Sequence, residues 1–285
     1  MIQYPTRSWL PVIIRMRGTV LPRIVVRTAI VGLIAGAVVY ARRSFDVELV
    51  IPVVLHTMVG VALGLLLVFR TNASYDRYWE GRKLVGGMVN VSRDLARQVS
   101  CYLPETETRL RAQGYIIALY ATIRRYLRGE QEWPELESHV PSAELSRLSE
   151  VRAAPLFVAR LFTAWLTERS AAGELHELRL HRVDANISRM IDLWGGAERI
   201  GNTPLPFAYA HHIKVFLAMF CFTVPFALDE AAWFTIIGST IVGFALFGIE
   251  EIGVEIEDPF GYDPNDLPLG DVGAKIETDV TETFS

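Results

Sequence analysis

The stretch from Val68 to Gln98, VFRTNASYDRYWEGRKLVGGMVNVSRDLARQ, joins an apolar run to a basic polar segment without a break. Upstream of it, Leu49 to Phe69 contains no Asp, Glu, Lys or Arg. At about 1.5 Å per residue such a run is long enough to cross a hydrocarbon core of roughly 30 Å. Downstream, Arg70, Arg77, Arg82, Lys83, Arg93 and Arg97 accumulate with no proline among them. The helix is therefore expected to continue well past the bilayer as an amphipathic rod whose basic end is cytoplasmic.

Three further apolar segments accompany it, giving spans at Ile24 to Ala41, Leu49 to Phe69, Val215 to Leu228 and Ala231 to Ile249. Lipid tolerates only structures that close their own backbone hydrogen bonds, so all four are expected to be helices. The connection Arg42 to Glu48 and the turn Asp229 to Glu230 would face outward. Arg15, Arg17, Arg23, the post-Phe69 rod and His211 to Lys214 would face inward, which places both termini in the cytoplasm of a multi-pass protein. The first span begins late and lacks a small-residue cleavage site, so it reads as a retained helix and not as a signal peptide. The third is short and contains Pro225, which suits half of a hairpin with the fourth. Arg27, near the inner end of the first span, must snorkel or pair, and snorkelling is the simpler expectation.

Composition fits a membrane protein with a large aqueous part: 51% of the 285 residues are hydrophobic and 21% charged. The net charge of −4 includes no independent basic patch, which argues against nucleic-acid binding. Cys101 and Cys221 fall on the cytoplasmic rod and inside a span, so no disulfide is expected between them. Ranges follow as 1–69 for the N-terminal segment and spans one and two, 70–210 for a helical cytoplasmic region, 211–252 for spans three and four, and 253–285 for an acidic tail. Within the cytoplasmic region, Pro104 interrupts the rod, and apolar Tyr115, Ile116, Leu119, Ile123 and Leu127 recur at helical spacing. Pro134 and Pro141 mark a loop. Leu156 to Leu166 and Leu178 to Leu193 read as two amphipathic helices, the second ended by Gly195, Gly196 and Gly201.

Candidate chemistry is sparse. His176, Glu177 and His181 imitate a zinc motif but carry one residue too many between the histidines, which turns the second off the first one's face. No phosphate loop, nucleophile elbow or CxxC pair is present, so no enzyme reading has residues to stand on, and neither a cofactor nor a metal is implied. His56, alone among the histidines in lying within a span, is a functional candidate by position and otherwise a hydrogen-bonding contact to a neighbouring helix. Gly32 with Gly36, and Gly60 with Gly64, are spaced for close helix packing. Val61, Leu65 and Phe69 lie four apart and share one face over about 12 Å. Periodicity alone assigns that stripe to lipid or core packing.

Three strings change its meaning: RTNASYDRYWEGRKLVGGMVNVSRDLARQ (Arg70 to Gln98), ERIGNTPLPFAYAHHIKVFL (Glu198 to Leu217) and DPFGYDPNDLPL (Asp258 to Leu269). In order and spacing they resemble the bacterial branch of the bestrophin family. That resemblance implies an all-α, four-span ion channel with a helical cytoplasmic layer, in a bacterial inner (plasma) membrane, assembled from identical subunits as a homopentamer around one central pore. It implies a neck lined by Val61, Leu65 and Phe69 and a second, cytoplasmic aperture at Ile187. The partners would be further copies of the chain, membrane lipid and small monovalent ions.

A ring of apolar side chains offers no ligand to replace an ion's water and can act as a dewetting barrier. Ion preference must then reside in polar residues nearby. Asp and Glu number 32 against 28 Lys and Arg, too even to decide the sign, so the expectation is a chloride or anion channel by family. A monovalent-cation (Na⁺/K⁺) channel of the same architecture, a non-conducting scaffold and a secondary transporter are the alternatives, the last disfavoured by the lack of repeats. Animal bestrophins follow the PFG element with a run of acids that binds Ca²⁺. Here Pro259 to Gly261 is followed by Tyr262, Asp263, Pro264, Asn265, Asp266 and Leu267, too few carboxylates for a high-affinity site. Asp263 and Asp266 are expected instead to cap turns and tie the tail to the basic helices.

Overall fold

The computed structural model describes residue 7 and residues 9–46, 50–103, 105–148, 150–228 and 232–284. Leu49 and Ala231, read as the first residues of two spans, Pro104, read as the break after the basic rod, and the Asp229 to Glu230 turn lie outside them, as do Val47 and Glu48. Among the described residues every regular element is helical: α1 (Trp9–Ile14), α2 (Leu21–Phe45), α3 (Val53–Tyr102), α4 (Thr106–Leu127), α5 (Ser142–Leu148), α6 (Ala154–Ala171), α7 (Glu177–Asn202), α8 (Phe207–Ala227), α9 (Ala232–Glu255) and α10 (Leu269–Phe284), with a 3₁₀ turn at Pro134–Leu136. Four of them, α2, α3, α8 and α9, are long and apolar enough to cross a membrane.

The chain divides into two units. The first holds residues up to Tyr78, Pro204–Asp258 and Asp263–Asn265, and so contains α1, α2, the apolar part of α3, α8 and α9. Its core gathers Ile24, Val31, Leu63, Leu67, Ile213, Leu217, Cys221 and Phe247 from those four long helices. Gly32 allows Thr240 to approach so closely that a Cβ would lie 3.0 Å from its hydroxyl, and Gly60 makes similar room for Phe220, whereas Gly36 and Gly64 face open space. One glycine of each pair is therefore used in packing the subunit.

Helix α8 is longer than its hydropathy suggested. Pro206 precedes its first residue, so the helix starts at Phe207 and incorporates His211, His212 and Lys214. Pro225 sits inside its last turn. The free carbonyls that follow are taken up by neighbours: the Ile51 N–H donates to Phe226 O at 2.9 Å, and Arg42 donates to Leu228 O at 2.9 Å and to Phe226 O at 3.3 Å. Such capping matters where no water can reach a helix end. His56 meets Thr223 Oγ1 at 3.2 Å and stacks on Phe220 with ring centres 4.2 Å apart, the helix-to-helix contact expected of it.

The second unit comprises Trp79–Thr203, Pro259–Tyr262 and Asp266–Ser285. Its centre is α4, buried from Gly114 to Ile123, with Tyr115 stacked on Phe162 of α6 at 5.3 Å. Helix α7 does not stop at Gly195 and Gly196 but runs to Asn202. These glycines serve approach and not termination: a Cβ on Gly196 would lie 2.9 Å from Leu84, and one on Gly87 would lie 2.9 Å from Leu193. His176 caps α7 by accepting the Leu178 N–H at 3.2 Å.

The tail is not simply an acidic segment, because α10 folds onto the unit through buried Leu269, Ile276 and Val280. Tyr120 donates to Leu269 O at 3.2 Å, Gln113 to Thr281 at 2.9 Å, and Arg93 to Asp279 at 2.7 Å. The hydrogen bond from Arg93 holds the Asp279 carboxyl below its usual range. That tether is in place above about pH 4 and is lost on acidification through the lowered value.

Gly114 has its missing Cβ position 2.9 Å from the His139 carbonyl oxygen, a backbone atom that cannot rotate aside. Gly114→Ala is expected to cost about 1–3 kcal/mol, read as a lower thermal midpoint of the detergent-solubilised protein. An unchanged midpoint would mean that the 138–141 segment yields freely.

Candidate permeation face and its charged girdle

In the first unit α3 has two opposite sides. Leu63, Leu67, Arg70 and Ser74 are buried and fall within about 60° of one another around the helix at 100° per residue. Turned half a circle away are Val61, 71% exposed, and Leu65 and Phe69, each 55% exposed. Asn72 and Asp76 continue this exposed side. The structure thus leaves unpacked within one chain the apolar stripe that the sequence singled out.

What fixes this orientation is a girdle of charge at the end of the apolar helices. Arg70 is 2% exposed, with Nη2 at 3.3 Å from Glu257 and Nη1 at 3.6 Å from Glu250, an ion contact longer than a hydrogen bond. Glu250 is also 2% exposed and lies 3.7 Å from Arg27 and 3.9 Å from Lys214. Arg27 donates to Glu251 at 3.0 Å, so it is paired and does not depend on snorkelling. Arg23 lies 3.3 Å from Glu255 and 2.8 Å from Asp263. Glu257 also accepts the Leu205 N–H at 3.0 Å, while its backbone carbonyl accepts Arg77 Nε at 3.0 Å. Gly253 leaves room for this: a Cβ there would stand 3.4 Å from Arg70 Nε.

Asn265 closes the girdle, donating to Glu255 at 2.7 Å and to Gly18 O at 3.1 Å. Asp263, expected with Asp266 to cap turns and tie the tail to the basic helices, pairs with Arg23 of α2. Arg23 stands at the start of α2 and also reaches Glu255 of α9. Pro259 and Phe260 pack beside Gly81 in the second unit.

A family model described as bacterial/fungal bestrophin protein matches residues 1–282. The chain belongs to the bestrophin family. It is 34% identical over 98% of its length to a voltage-dependent anion channel-forming protein of Nostoc sp., covering 92% of that protein. A protein of the same description from Ralstonia nicotianae is 33% identical over 99% of this chain and 94% of its own. The crystal structure of a bacterial bestrophin homologue from Klebsiella pneumoniae superposes with a TM-score of 0.86 at 25% identity, over 92% of this chain and 98% of that one. With four membrane-length helices and relatives named as channels, this bestrophin is an integral membrane protein, and none of these relatives carries an enzyme's name.

The bestrophin's other sequence-derived position lies elsewhere. Ile187 is 3% exposed, on the packed side of α7 with Val183, Met190, Trp194 and Ala197, so within one chain it is a core residue and not a presented one. Leu178, at the start of the same helix, is 71% exposed. The girdle acids escaped sequence reading because the fourth span was closed at Ile249. A signal was present: Arg23 and Arg27 stand four apart, as do Glu251 and Glu255, which matches two antiparallel helices cation for carboxylate.

Breaking a buried pair costs far more than breaking an exposed one. Arg70→Met is expected to destabilise the bestrophin by about 3–5 kcal/mol by stranding Glu250 and Glu257. Asp263→Asn, at a pair whose side chains are 41% and 44% exposed, should cost no more than about 1 kcal/mol. Thermal unfolding in detergent reads both, and equal losses would contradict a buried centre at Arg70.

Proposed function

We propose that this bestrophin is an ion channel that passes small monovalent ions, anions such as chloride by the description its relatives carry, through a neck lined by Val61, Leu65 and Phe69. The observation that carries the reading is the exposed apolar stripe of α3, set opposite a stripe locked by Arg70. One copy of a helix encloses nothing, so the face requires further copies of the chain. A homopentamer, as the family resemblance implies, would bring five such stripes together. In this reading both termini are cytoplasmic, and the membrane is the bacterial inner membrane.

The three side chains present no polar atom to a dehydrating ion, so conduction depends on width and wetting. The second, cytoplasmic constriction is assigned to Ile187 by the family resemblance; within one chain that side chain lies on the packed side of α7. No cofactor is required. Ca²⁺ is not a regulator, because Asp263 is engaged by Arg23 and Glu255 by Arg23 and Asn265, leaving few carboxylate oxygens for the six to eight that calcium takes.

Purified protein in planar bilayers tests the reading. Unitary currents are expected, raised at least about twofold when Val61, Leu65 and Phe69 are all replaced by alanine and insensitive to micromolar Ca²⁺ from either side. Unchanged currents in the triple variant with assembly intact would overturn the neck assignment. A reversible Ca²⁺ activation abolished by Asp263→Ala would overturn the calcium assignment.

A further inference from the structure

We propose that Asp76 is a selectivity-determining residue: repeated as a ring of carboxylates just beyond Phe69, it raises the permeability of cations relative to anions and so limits the anion preference of the path. This rests on the reading that the exposed side of α3 lines the pore. At 100° per residue, Asp76 falls at an angle between Leu65 and Phe69, about 10 Å farther along the axis than Phe69. Its side chain is exposed, and among the described residues it makes no hydrogen bond or ion pair.

The nearby cations do not neutralise it. Arg70 and Arg77 lie on the opposite side of the helix, where Glu250 and Glu257 engage them. Asn72 is the polar residue between Phe69 and Asp76 on the exposed side, and Lys83 follows two turns farther on. Asp76 is therefore the first charge that an ion meets on leaving the apolar stripe. Symmetric copies would repeat that carboxylate around the axis, and a ring of like charge in a narrow path concentrates counter-ions and repels co-ions.

Reversal potentials under a KCl gradient, recorded in planar bilayers from the full-length protein, test this. Asp76→Asn is nearly isosteric at an exposed, unpaired position, and gel filtration checks that assembly is kept. Its potassium-to-chloride permeability ratio should fall at least about threefold, more at low ionic strength where screening is weaker. Asp76→Lys should carry the ratio further toward chloride, and Asp76→Glu should retain the wild-type value. Asn72→Asp placed in the Asp76→Asn background should restore cation weighting from one turn away, a rescue that a purely structural role would not produce. Wild-type reversal potentials in both the Asn and Lys variants, with unitary currents intact, would overturn the inference while leaving the pore reading standing. Absence of unitary currents from the wild-type protein would overturn both.

Discussion

The buried guanidinium of Arg70 is the constraint on which the rest depends. A cation taken out of water at the end of an apolar helix is tolerable only beside carboxylates, and Glu250 and Glu257 supply them. Because Arg70 follows Phe69 directly, the pairing fixes the rotation of α3 as well as its depth. Once Leu63, Leu67 and Arg70 face inward, Val61, Leu65 and Phe69 must face out. The remaining pairs give the girdle its direction: Arg27 to Glu251 and Arg23 to Glu255 step along α2 and α9 in opposite senses, as antiparallel helices require.

This arrangement separates two tasks. The charges needed to anchor the helices are spent on each other, so they are withheld from the exposed stripe. What that stripe presents is apolar and then, after Asn72, acidic. A barrier made of hydrocarbon responds to small changes in width, whereas preference between ions follows from the first fixed charges beside it.

Much of this was legible in the sequence, and the misses have physical causes. The uncharged run before Arg70 and the three other apolar segments located all four long helices. Helix ends were less legible: hydropathy falls at His211, His212 and Lys214, yet the helix begins where Pro206 permits. Gly195 and Gly196 resemble a helix stop, but their missing side chains admit Leu84. The apolar residues Leu269, Val272, Ile276 and Val280 recur every three or four positions, a helical pattern hidden by the acids between them. Ile187 shares its spacing with Val183, Met190 and Trp194, which marks a buried stripe within one chain. The girdle was hardest to see, since Arg27 and Glu251 are separated by 224 positions and only the folded chain brings them together.

The central claim is that the side of α3 opposite Arg70 borders an aqueous path. Substituted-cysteine modification tests it directly, with Leu65→Cys and Leu67→Cys each placed in a Cys101→Ser background to remove the exposed native thiol. A charged, membrane-impermeant thiosulfonate reagent should change the unitary current of the Leu65→Cys channel and leave Leu67→Cys, whose parent side chain is buried, unaffected. Modification of Leu67→Cys with an inert Leu65→Cys would contradict the account.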